Sequence, residues 1–219
     1  MSRELGPIHY QMYEKIKFQD EITDYLMDHD TSIIDEKYKP VSKQRLDKLI
    51  DQDNVHGWLS KRVDIVELRL KEAFKLSKNP EEKMYNLGKE KGSNKDFYDL
   101  SIIFKNLNSY LLDGMPCDNG FMAQVDDDNN LYLVTNNDLH KQYYTEDINP
   151  NDSLSNSCGG GHSHDHHDNF EIQKDNIEIK DDNRDLYHDM RYYFLKGYFS
   201  DSPYDVEMVN GTSYKIFLR

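Results

Sequence analysis

Asn108-Ser109-Tyr110-Leu111-Leu112-Asp113-Gly114-Met115-Pro116-Cys117-Asp118 is echoed without a gap by Arg191-Tyr192-Tyr193-Phe194-Leu195-Lys196-Gly197-Tyr198-Phe199-Ser200-Asp201. Each copy runs on into a hairpin pattern. After the first, Phe121, Ala123 and Val125 alternate up to the polar run Asp126-Asp127-Asp128-Asn129-Asn130, and Leu131 and Leu133 alternate beyond it. After the second, Tyr204, Val206 and Met208 lead to Asn210-Gly211, and Tyr214, Ile216 and Leu218 follow. Period-two alternation on both sides of turn residues is the signature of a β-hairpin, and Asn-Gly suits a type I′ turn. The residues ahead of each hairpin, Phe97 to about Leu112 and Leu186 to about Phe199, read as helices that stop at Gly114 and Gly197.

A helix-plus-hairpin unit cannot bury its apolar face alone. The spacing therefore predicts an α+β fold in which a duplicated helix-hairpin unit over residues 93–219 forms one antiparallel sheet covered by helices, the two copies related by an approximate twofold. A polar insertion at about 136–183 separates the copies and is too hydrophilic to pack throughout. Brief strands are expected in it at Phe170-Glu171-Ile172 and Ile177-Glu178-Ile179.

Residues 1–92 read as a helical region. Ile8, Met12, Ile16, Ile22 and Leu26 follow helical spacing behind Pro7, which suits a first turn because no N–H is needed there. Leu46, Leu49 and Ile50 mark a short helix. Val55, Leu59, Val63, Val66, Leu70 and Phe74 mark a long one behind the capping pair Asp53-Asn54. Residues 8–20 and 55–67 echo each other in register, so His9 and His56 occupy equivalent first-turn positions. With a short helix between them, these two helices can run parallel and bring both imidazoles to one end of the bundle.

Composition excludes several classes. The 219 residues carry a formal charge of −14, which repels a phosphate backbone and an anionic lipid surface. Neither nucleic acid nor membrane is expected as a partner. No apolar run reaches bilayer length, and Met1-Ser2-Arg3-Glu4-Leu5-Gly6-Pro7 has no apolar core behind it, so a cytoplasmic protein is expected. Mean hydropathy is −0.91, yet aromatics make up 12% with 16 Tyr, enough apolar surface to fold. Two cysteines make no disulfide framework.

The densest set of ligand-type side chains lies in the insertion: Cys158, His162, His164, His166 and His167, with Asp165 and Asp168 between and after them. Alternating imidazoles project to one side of an extended segment, and Gly159-Gly160-Gly161 let the thiol fold back. Zn²⁺, Ni²⁺ or Cu²⁺ suits such nitrogen and sulfur donors. The competing reading is a low-complexity loop with adventitious affinity. His9 and His56 are added as metal candidates, because a helix N-terminus favours the neutral imidazole that ligates metals or acts as a base. Set against this is packing of each ring on its aromatic neighbours. Cys117 sits beyond a helix C-terminus beside Asp118, a setting that works against a thiolate.

Three functions follow as expectations. The leading one is a cytoplasmic metal-binding protein, whether sensor, store or delivery factor, that uses the Cys/His-rich loop with Zn or Ni. The second is an acidic interaction module for a basic protein partner. The third is an enzyme with a His-containing site between the two halves. Gly88-Lys89-Glu90-Lys91-Gly92 lacks phosphate-loop spacing, and no dinucleotide, metalloprotease or nucleophile-elbow motif is present.

Overall fold

The structure is a computed structural model that describes residues 5–51, 53–113, 121–135, 138–144 and 185–219. Among these residues it is a mixed α+β fold of seven helices, one 3₁₀ turn and a four-stranded antiparallel sheet, with the N-terminal half helical. Cys117, Cys158, His162, His164, His166, His167 and the strands expected at 170–172 and 177–179 lie outside the described residues.

Helix α1 (Pro7–Leu26) starts as the sequence implies, with Pro7 in its first turn. Its Gly6 amide donates to Nδ1 of His9 at 3.0 Å, so this imidazole serves as a cap. The chain then reverses through Asp28 and His29, both in the left-handed region, and makes a single turn, α2 (Ser32–Asp35). The short helix expected around Leu46 is a 3₁₀ turn, Leu46–Lys48. Helix α3 (Val55–Leu76) is capped by Asn54, whose side chain accepts from Gly57 N at 3.2 Å.

Contacts step along α1 and α3 together: His9 meets His56, Tyr13 meets Trp58, and Gln19 meets Glu67. The two helices therefore run parallel. Buried Arg69 of α3 ties them to the intervening chain, with Nε on Asp20 Oδ1 and Nη1 on Asp35 Oδ1, both at 2.6 Å, and Nη1 also on the Tyr38 carbonyl.

Helix α4 (Pro80–Gly92) carries Gly88 and Gly92 within it. Its Gly88 and Gly92 face α7 (Leu186–Tyr198) so closely that a Cβ on either would stand 1.9 or 2.0 Å from a carbonyl oxygen of Phe194 or Tyr198. Gly197 makes the reciprocal approach to Tyr85 O. It lies inside α7 and corrects the expectation of a helix stop: its smallness serves close packing, not chain reversal. The first copy's helix, α5 (Leu100–Tyr110), ends sooner than expected, and Leu111 is already extended where its echo Phe194 is helical.

The sheet follows the alternation. β1 (Phe121–Val125) pairs with β2 (Leu131–Thr135), β3 (Tyr204–Asn210) pairs with β4 (Ser213–Leu218), and the two hairpins join through antiparallel β2 and β4, giving the order β1-β2-β4-β3. Asp126 organises the first turn: its carboxylate accepts from the amides of Asp128 and Asn130 at 3.1 and 2.9 Å. In the second hairpin Asn210 pairs with Ser213, so the loop centres on Gly211-Thr212, one residue later than the Asn-Gly reading. Ala123, Leu131, Leu133, Val206, Tyr214 and Ile216 face a core shared with Phe18, Ile22, Leu70 and Phe194 from the helices. A smaller cluster, including Met12, Ile16, Leu59 and Val66, closes the other end of the α1–α3 pair.

Candidate metal centre

Two Asp/His pairs stand at the starts of α6 (Lys141–Tyr144) and α7. They are Asp138 with His140, and Asp185 with His188. Asp185 is the N-cap of α7, and Asp138 lies three residues ahead of α6. Asp138 Oδ1 accepts from the amides of His140 and Lys141 at 3.0 and 3.2 Å, and Asp185 Oδ1 accepts from His188 N at 2.9 Å. The hydroxyl of Tyr214 on β4 donates to the His188 carbonyl at 3.0 Å and fixes the first turn of α7 on the sheet.

His188 is fully buried. Its Nδ1 lies 2.9 Å from Asp185 Oδ1; in the tautomer with the proton on Nδ1, Nε2 presents a lone pair. That Nε2 is 3.9 Å from Asp138 Oδ1, and it has no hydrogen-bond partner among the described residues. Asp138 Oδ2 and Asp185 Oδ2 are likewise buried and unpartnered. One ligand atom from each of Asp138, Asp185 and His188 falls within 4.8 Å of the other two. Burial works against the Asp185 carboxylate, but its bonds to His188 outweigh it and keep it below the usual carboxylate range.

Behind this triad lies a second buried polar group that stabilises rather than ligates. Glu67 Oε1 accepts from Gln19 Nε2 at 2.9 Å and faces His140 Nδ1 at 3.0 Å. The other ring nitrogen of His140 lies 3.8 Å from Asp113 Oδ1, and Asp113 Oδ1 accepts from Arg191 Nη1 at 2.7 Å. Arg191 Nη2 also donates to the Tyr187 hydroxyl at 2.7 Å, and the Tyr187 ring stacks on His140 with centroids 3.5 Å apart. Glu67, His140, Asp113 and Arg191 are all buried.

Burial disfavours an imidazolium at His140, but the Glu67 carboxylate and the Asp113 contact outweigh it and hold the ring protonated up to about 9. Burial would likewise raise the Asp113 carboxyl; the Arg191 guanidinium and His140 instead hold it far below the usual range. Two anions then face two cations, and the group is balanced. In the protonated ring the 3.2 Å approach of Arg191 Nη2 to His140 Nε2 brings two donors together; loss of the Nε2 proton turns it into a hydrogen bond.

Most buried side-chain polar atoms without a partner among the described residues gather in this region. The acceptors are Glu67 Oε2, Asp113 Oδ2, Asp138 Oδ2, Asp185 Oδ2 and His188 Nε2; against them stand Tyr144 OH and Arg191 Nε. Glu67 and Asp113 already face His140 and Arg191, whereas Asp138 Oδ2, Asp185 Oδ2 and His188 Nε2 lie within the triad; buried polar atoms ordinarily find partners, and these three suit a cation. The N-terminal dipole of α7 opposes one with roughly half a positive charge, which is less than the two carboxylates supply. Two carboxylates and one imidazole are donors that Zn²⁺, Ni²⁺, Co²⁺, Mn²⁺ and Fe²⁺ accept.

The other candidates from the sequence fall elsewhere. His9 and His56 do meet, with ring centroids 5.4 Å apart in an edge-to-face arrangement at the N-terminal ends of α1 and α3. Nδ1 of His9 is already engaged by Gly6 N, and Trp58 beside them is covered by Arg62, 4.0 Å from its ring centroid. Sequence reasoning passed over Asp138, Asp185 and His188. The signal was present as Asp138-x-His140 at the beginning of the insertion and Asp185-x-x-His188 just beyond its end. Comparison with known proteins gives no matching family model, no matching curated protein and no matching solved structure.

Proposed function

We propose that this chain is a divalent-metal-binding protein, and that Asp138, Asp185 and His188 hold the ion. The observation that carries the reading is the convergence of a buried imidazole nitrogen, without a partner among the described residues, with two carboxylates, each of which has an oxygen left over after accepting from the amides at a helix start. The Cys158–Asp168 cluster belongs to the chain that joins α6 to Asp185, so the two ligand sets are neighbours along the sequence. Both serve a metal-handling role with Zn²⁺ or Ni²⁺ as the leading ions. The doubled helix-hairpin plan is part of the same reading. It is supported by the strand order β1-β2-β4-β3, in which each hairpin meets the other through its second strand, as a twofold axis would arrange.

Titration calorimetry and metal analysis of untagged, chelator-treated protein test the assignment. One set of variants is Asp138→Asn with His188→Gln, which keeps a capping side chain at 138. The other replaces His162, His164, His166 and His167 by Ser. Loss of the tightest equivalent of Zn²⁺ or Ni²⁺ in the first set and its retention in the second is the expected result. Unchanged tight binding in the first set overturns the assignment to these residues.

A further inference from the structure

Both carboxylates of the triad already accept from backbone amides at the start of a helix, Asp138 from His140 and Lys141 ahead of α6 and Asp185 from His188 in α7. Asp138 precedes α6, a single turn that packs against α3 through Tyr143, whose hydroxyl donates to Asp64 Oδ1, and through His140 on Glu67. Asp185 starts α7, which is anchored independently by its glycine contact with α4 and by Tyr214. Between the two helix starts stand the leftover carboxylate oxygens and the His188 Nε2. Among the described residues they share no donor, and the two carboxylates repel each other.

We propose that a divalent ion at Asp138, Asp185 and His188 acts as a latch between α6 and α7, so that ion concentration sets how firmly residues 138–144 are held. The inference rests on the metal reading above and adds a regulatory consequence to it. With the ion bound, repulsion between the carboxylates becomes shared attraction, and the α6 turn is fixed on two sides: to α3 through Tyr143 and His140, and to α7 through the metal. Without it, α6 keeps only its α3 contacts, while α7 is held by its glycine contact and by Tyr214. The response is therefore uneven: the amides capped by Asp138, those of His140 and Lys141, gain most, and His188 N gains less. Helix α4 and the β3–β4 hairpin stay unchanged.

Hydrogen exchange on the full chain, with and without Zn²⁺ at about 100 times its dissociation constant, reads this directly. A ligand that binds only the closed form lowers the open fraction by up to about 100-fold at that excess. Exchange in residues 139–144 should slow by between about 10- and 100-fold on the same footing, and Asp138→Asn with His188→Gln should abolish the response. Calorimetry on the same samples separates the outcomes. Tight binding with no slowing in 139–144, or with slowing spread evenly over the chain, overturns the latch and leaves the metal reading standing. Absence of tight binding removes the metal reading and the latch with it.

Discussion

Replacing Gly88 by alanine pits two effects of opposite sign against each other. Alanine is the better helix former, and in an exposed helix the exchange is worth about 1 kcal/mol of added stability. At Gly88 the new methyl would lie 1.9 Å from Phe194 O, 2.8 Å from Phe194 C and 2.9 Å from Tyr198 N. All three are backbone atoms, so no side-chain rotation relieves the contact. A carbon meets a carbonyl oxygen comfortably at about 3.3 Å or more, so α4 and α7 must part locally by about 1.4 Å. A gap of 0.5–1 Å forfeits roughly a quarter to a half of each dispersion contact, and Met84, Leu87, Phe194 and Tyr198 all sit along this crossing. Overpacking of this kind costs about 1–3 kcal/mol and occasionally more, and a clash confined to backbone belongs at the upper end. The clash outweighs the propensity gain, and a net loss of about 2 kcal/mol is expected, or about 4–8 °C in Tm for a chain of this size. Gly57→Ala is the control. There the methyl meets only the side chain of Asn54, which can swing away; the loss of its cap, about 1 kcal/mol, cancels the helix gain and leaves stability near wild type. Urea unfolding followed by circular dichroism measures both variants side by side. Gly88→Ala as stable as Gly57→Ala, or more stable than the parent, would refute the close crossing and the reading of Gly88 and Gly197 as packing residues.

Two further outcomes follow from the buried charges. Asp113→Asn strips the anion from Arg191 and His140 while conserving shape, and breaking such a buried pair costs about 3–5 kcal/mol; urea midpoints read the loss, and a change under about 1 kcal/mol contradicts the balanced group. In metal-free protein, His140 held protonated up to about 9 against the ordinary 6.5 of a free imidazole gives stability that is full below about 6.5 and is lost as pH rises through about 9, roughly 3 kcal/mol in all at ~1.4 kcal/mol per pKa unit. Unfolding free energies across that window, compared with His140→Gln, check the sign; parallel curves for the two proteins contradict it.

The alternation in 121–133 and 204–218 made both hairpins legible, because a strand with one face in the core repeats every second residue whatever its neighbours do. The stripes of α1 and α3 were legible for the same reason. The parallel run of the two helices followed from the short link and brought His9 and His56 together. Gly88 and Gly92 hide the extent of α4 from a sequence reading: local propensity penalises Gly in a helix, and only the presence of α7 against it reverses the sign. The buried charges were hidden by a similar inversion. Glu67, Asp113, His140 and Arg191 belong to types that normally face water, and their burial depends on partners far away in sequence. One trace was available: Arg191 stands four residues after Tyr187 and three before Phe194, a charge set into an apolar stripe.

The proposed triad lies at helix starts, outside the His-rich run that dominates the sequence. Ordering a backbone in order to ligate an ion costs conformational entropy at every residue involved. At Asp138 and Asp185 the backbone is already fixed, because each side chain is bonded to the first amides of its own helix. His188 is held by Asp185 on one side and buried against Tyr187. The fold has therefore paid the ordering cost for reasons of its own, and the three remaining ligand atoms are preorganised. A histidine-rich segment raises the local concentration of donors; a pair of helix caps with a buried imidazole between them supplies geometry. If both bind metal, the capped site should hold its ion more tightly and with fewer alternative stoichiometries.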